Sequence, residues 1–187
     1  LLTVAVAYCI RGQVQATAGN MFLGGDDFDL AIVDHILSIA VHNNFLVQSA
    51  ADAVIDGTNT KLMHKLRRHA KQAKEGLGVQ GGDRHATFKC DIEFPESSRP
   101  AGAPRDDDMQ YILTTDILTM LLLPHLQETK KLLEEITADA EQVGCASPSV
   151  VIMMGGSSRI HAFVRARTQN IRHTNMKHIQ RYRDRSS

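Results

Sequence analysis

Met21-Phe22-Leu23-Gly24-Gly25-Asp26-Asp27-Phe28-Asp29 separates two kinds of sequence periodicity. Two adjacent glycines make a turn, and two acids after them suit the positive end of a helix. Apolar residues then recur at Phe28, Ala31, Ile32, Ile36, Ile39 and Ala40, with His35 on the same face. That spacing is helical and runs to about His42-Asn43-Asn44. Upstream the period is near two. Leu2 to Tyr8 is rich in β-formers, Arg11-Gly12 punctuates it, and Gln13 to Ala18 alternates polar with apolar. This predicts a β-hairpin, with Gly19 to Gly25 as the loop into the helix.

Downstream, Phe45 to Asn59 is polar and small and gives only a weak pattern. Thr60 to Gly76 predicts a second helix, with Leu62, Met63, Leu66, His69, Ala70 and Ala73 on one face. Lys61, Lys65, Arg67, Arg68, Lys71 and Lys74 make it strongly basic, and the plain reading of such a face is solvation. His85 to Phe94 alternates throughout and is the clearest strand. Pro95 to Asp108 holds three prolines with Gly, Ser and three Asp, and predicts a long exposed loop. Thr114-Thr115-Asp116 caps a long helical stretch, kinked at Pro124 and continuing past Ile136. Ala138 to Ser149 is a connector. Val150 to Met154 is short and continuously apolar, as a buried strand is. Gly155-Gly156-Ser157-Ser158 turns into a helix near Arg159.

The bulk numbers bound the function. The chain has 187 residues, 43% hydrophobic, and a formal net charge of zero. It can bury one substantial core, or two small subdomains. There is no global pull toward nucleic acid or an acidic membrane. The arginines and lysines after Arg165 face one acid, Asp184, and read as a solvated basic tail rather than a nucleic-acid arm. Cys9, Cys90 and Cys145 are far apart, which suggests a reducing, cytoplasmic setting and no zinc or disulfide scaffold. His64 and His69 are five apart, off the spacing of a helical metal pair, and read as surface. Leu1 to Ile10 lacks a basic n-region and reads as a strand rather than a signal peptide. No run approaches the roughly 18 apolar residues of a membrane helix.

The strand, Gly-Gly turn and helix around residues 150–160 form a unit where α/β proteins hold phosphates or nucleosides. Paired glycines admit a ligand that a Cβ would block. The Arg159 guanidinium can stack on a purine. Alone, this motif is a weak signal and more often marks a tight turn and nothing more.

Four segments together resemble the seventy-kilodalton heat-shock (DnaK-type) chaperones. Residues 21–29 resemble their T-x-L-G-G-E-D-F-D, and Val14 to Asn20 resembles V-K-A-T-A-G-D. Leu66 to Leu77 resembles L-R-x-x-x-E-x-A-K-R-x-L, and Val151 to Ile160 resembles V-L-V-G-G-S-T-R-I-P. The segments keep the family's order and nearly its spacing, over residues 1 to 165. Past Ala166 no match is seen.

The resemblance implies an α/β fold, lobe II of an actin-like ATPase domain. Residues 1–25 and 112–165 would form an inner α/β subdomain. Residues 26–111 would form an inserted outer subdomain of antiparallel sheet and helices, and 166–187 a basic unmatched tail. It implies ATP or ADP as ligand, with Mg²⁺ in the complete domain and no ligands for it in this chain. By position, Gly155 and Gly156 line the ribose-phosphate side, Ser157 approaches the nucleoside, Arg159 lies on one adenine face and Lys74 reaches the ribose. Four positions depart from the family. Lys71 stands for a ribose-binding Glu, Glu75 for an adenine-stacking Arg, and Gly78 for an adenine-contacting Ser; His161 replaces the proline after R-I. Each of the lost Glu and Arg contacts removes about 1 kcal/mol or more. Lys71 and Glu75, at i and i+4, are placed to pair with each other.

The family's D-L-G-T-T and D-L-G-G-G-T-F-D phosphate loops, its catalytic lysine and its magnesium-positioning acids have no match, so these residues are expected not to hydrolyse ATP alone. Implied partners are adenine nucleotide, the parent's lobe I, and an exchange factor or co-chaperone docking on residues 26–110; no membrane or nucleic acid is expected. Two other readings stand beside this one. An interaction module could keep the lobe's shape without its ligand, which the changes at Lys71, Glu75 and Gly78 favour. An actin-like sugar kinase is the third, against which the L-G-G-D-D-F-D segment and the helix around Lys74 argue.

Overall fold

The computed structural model describes residues 4–10, 13–20, 23–79, 86–103, 109–142, 144, 150–153 and 178–181. The chain divides into two compact units, Phe28–Leu121 and Leu1–Asp27 with Leu122–Ser187. The elements are helices and short two-stranded sheets, an α/β fold.

In the discontinuous unit, β1 (Val4–Ile10) and β2 (Gln13–Asn20) form the expected antiparallel hairpin. Its register shifts between Tyr8 and Cys9, a bulge that bends the ribbon. Helix α5 (Leu123–Gln142) packs on both strands. It buries Leu126, Thr129, Leu132, Ile136 and Ala140, a stripe at i+3 and i+4 steps. Thr129 is tolerated there because its hydroxyl donates to the His125 carbonyl at 2.8 Å. Gly144, at φ +79°, takes the left-handed position beyond the helix end. Strand β5 (Val150–Met153) pairs in parallel with β6 (His178–Arg181). A strand past Ala166 was not expected: six arginines and lysines across that region mask a four-residue element.

The continuous unit is built on α1 (Gly25–His42). Gly24 N–H donates to the Asp27 carboxylate at 2.7 Å, so an acid of the opening motif caps its own helix. Phe28, Ile32, Ile36 and Ala40 are fully buried at i+4 steps, with Val33 and Leu37 beside them. A short helix, α2 (Gln48–Ile55), fills the weakly patterned stretch and buries Ala51 and Val54. Helix α3 (Thr60–Val79) is capped by Asn59, whose Oδ1 accepts from Leu62 N–H at 3.2 Å. Leu62, Leu66, Ala70, Ala73 and Leu77 form its buried stripe.

Strand β3 (Thr87–Ile92) appears where expected, shorter by a few residues. Its partner β4 (Met109–Thr114) does not follow from the sequence reading, although Met109, Tyr111 and Leu113 alternate as buried residues. The loop between them carries one 3₁₀ turn, Glu96–Ser98. The expected single kinked helix is two. Helix α4 (Thr115–Leu121) is capped by Thr114 Oγ1 on Ile117 N–H, and α5 starts at Leu123. Pro124 lies in the first turn of α5, where its missing N–H leaves no bond unmade.

Candidate functional site

All four of the described candidates sit on α3. At about 100° per residue, Lys71, Lys74, Glu75 and Gly78 share one arc of the helix. Burial divides them. Lys71 and Glu75 are exposed and their charged atoms stand 4.0 Å apart, the pairing expected from their spacing. Exposed pairs of this kind contribute little, about 0.3–0.5 kcal/mol. Gly78 lies in the last turn of α3. Gly155, Gly156, Ser157 and Arg159 lie outside the described residues.

Lys74 differs from its neighbours. Its Nζ is 2.5 Å from Asp29 Oδ1, and each side chain is only 11% exposed. The ammonium also lies 5.9 Å from the centre of the Phe28 ring. Phe28 and Asp29 belong to the opening motif of α1. Lys74 is therefore held by the segment that opens the first helix. The sequence reading did not pair Asp29 with Lys74. Nothing local signals it, because the pair joins distant parts of the chain.

Above this point α3 is basic. Lys61, His64, Arg67 and Arg68 are exposed and have no ion-pair partner among the described residues, while Lys65 reaches the Glu93 carbonyl at 2.7 Å. His69 corrects an expectation. Both of its ring nitrogens are buried and neither has a hydrogen-bond partner among the described residues. Burial lowers its pKa, and Arg68 and Lys65 lower it further. On α1, His35 Nδ1 is 2.8 Å from the Tyr111 hydroxyl, with the two rings edge to face. Burial lowers the His35 pKa. Tyr111 is pushed up by burial and then by Cys90, its cross-strand neighbour. Cys90 is itself raised, by burial and then Asp91, so its thiol is not an activated nucleophile. No three His, Cys, Asp or Glu side chains among the described residues are grouped to hold a metal ion. No described helix is long and apolar enough to cross a membrane.

A family model described as Hsp70 protein matches residues 4–180. The chain belongs to the Hsp70 family. The match continues past Ala166, where the motif comparison had stopped, and includes β6. Among curated relatives, chaperone protein dnaK1 of Synechococcus elongatus is 29% identical over 154 residues, 82% of this chain and 21% of that protein. Chaperone protein DnaK of Cenarchaeum symbiosum is 27% identical over 80% of this chain and 20% of its own length. DnaK of Thermosipho melanesiensis is 29% identical over 79% of this chain and 22% of its own. The chain thus spans about a fifth of the relatives it matches.

Proposed function

We propose that this chain is lobe II of the ATPase domain of a DnaK-type, ATP-dependent chaperone that assists protein folding. In this reading residues 26–111 are the outer subdomain and residues 1–25 with 112–165 the inner one. Lys74 meets the ribose, Gly155 and Gly156 the ribose-phosphate side, Ser157 the nucleoside and Arg159 an adenine face. Phosphate-binding and catalytic groups, with Mg²⁺, lie outside these residues. Lys71, Glu75 and Gly78 leave the purine pocket weaker than the family pattern. The observation that carries the reading is the family match across residues 4–180, within which Lys74 is held at the start of α1. Titration calorimetry with ADP and ATP tests it. Weak binding, little affected by Mg²⁺ and lost in Arg159→Ala, is expected. A folded chain that binds neither nucleotide at millimolar concentration overturns it.

One observation favours a second reading. Lys71 and Glu75 pair with each other and Lys74 with Asp29, so each of these charges has a partner within the chain. The chain would then be an interaction module, binding an exchange factor or co-chaperone through residues 26–110 and the basic face at Arg67 and Arg68. Partner binding unchanged by nucleotide would select it.

A further inference from the structure

We propose that Asp29 is a positioning residue, fixing the Lys74 ammonium for the ribose hydroxyls of a bound adenine nucleoside; this rests on the reading of Lys74 given above. A lysine head on a four-carbon stem samples many rotamers. Here the head is confined by a carboxylate 2.5 Å away and the Phe28 ring at 5.9 Å, in surroundings that leave both charged side chains 11% exposed. Of the four candidates on this arc of α3, Lys71 and Glu75 hold only each other at the surface, and Gly78 has no side chain to place. Lys74 alone is fixed from another helix. Asp29 also offsets its charge. What remains for a ligand is directional hydrogen bonding rather than attraction for phosphate. The contribution of Lys74 should therefore be the same for adenosine as for ADP.

The test is calorimetry of the 187-residue chain with adenosine and with ADP. It uses wild type, Lys74→Met, Asp29→Asn, Asp29→Glu and the double variant Asp29→Asn/Lys74→Met. Thermal unfolding of each identifies the temperatures at which it is folded. Losing one charge-assisted hydrogen bond weakens binding by about tenfold. Lys74→Met and Asp29→Asn are each expected to show that loss, equally for both ligands, and the double variant no more than either single. Asp29→Glu keeps the charge but moves the carboxylate by one methylene; it is expected to weaken binding several-fold while staying folded, and it decides alone if Asp29→Asn does not fold. If Lys74→Met is weakened and the folded Asp29 variants bind like wild type, the positioning role is wrong and the ribose contact stands. If Lys74→Met binds like wild type, or wild type binds no adenosine, the ribose reading fails and the positioning role with it.

Discussion

His69 sits half-buried on α3 with two ring nitrogens that meet neither water nor a described partner, beside Arg68 and Lys65. His35 lies against Tyr111. Both rings hold protons less tightly in the folded chain than in the unfolded one. Below the unfolded histidine pKa of about 6.5 the unfolded state therefore binds more protons. Stability is complete above that pH and is lost as pH falls through the lower folded values. Urea unfolding at pH 7.5, 6.5 and 5.5 should show stability declining in that order. His69→Leu removes unpaired buried polar atoms and is expected to add about 1 kcal/mol at neutral pH, and more at pH 5.5. A loss of stability at pH 7.5 would mean the ring has a partner in solution. Asp29 shows the opposite economy. Removing its carboxylate leaves Lys74 charged and nearly enclosed, so Asp29→Ala should cost about 3 kcal/mol, read as a lower urea midpoint.

At the level of elements, one contact between α3 and β3 governs a substitution that propensity alone would misjudge. Gly→Ala inside a helix ordinarily gains about 1 kcal/mol. A Cβ at Gly76 would run into the Phe88 ring. Gly76→Ala is therefore expected to gain nothing and to lose up to about 2 kcal/mol net. The N-terminus of the same helix gives a simpler case: Asn59→Ala should cost about 1 kcal/mol by freeing the Leu62 N–H. Equilibrium unfolding checks both. The hairpin, α1, α3 and β3 were legible because each carries its own period over seven residues or more. Strand β4 was not, since its six residues follow a Pro- and Asp-rich loop and run directly into the threonines that cap α4. The break at Leu122 read as a kink because Pro124 looks interior until the first turn of α5 is located. Within the site, the Lys71–Glu75 pair was visible as a helical spacing. Asp29–Lys74 was not, because only the packing of α1 against α3 brings the two together.

On the scale of the whole molecule, Phe28–Leu121 is continuous in sequence and has its own buried set, from Phe28 and Ile36 through Leu66 to Tyr111 and Leu113. Residues 28–121 expressed alone should unfold cooperatively in urea, with helical circular dichroism; a non-cooperative melt would show that the unit depends on the rest. Family membership was legible at this scale from the order of four short segments, whereas β6 was hidden by the basic composition around it. The other unit has a different history in time. Its hairpin leaves the ribosome first, yet α5, which covers both strands, follows about a hundred residues later. At roughly 5–20 residues per second, that delay is on the order of ten seconds. A lone two-stranded hairpin is marginal in water. Phe28–Leu121 thus has time to fold while the hairpin waits for its cover, and the interval is one in which a nascent chain of this chaperone family would itself benefit from a chaperone.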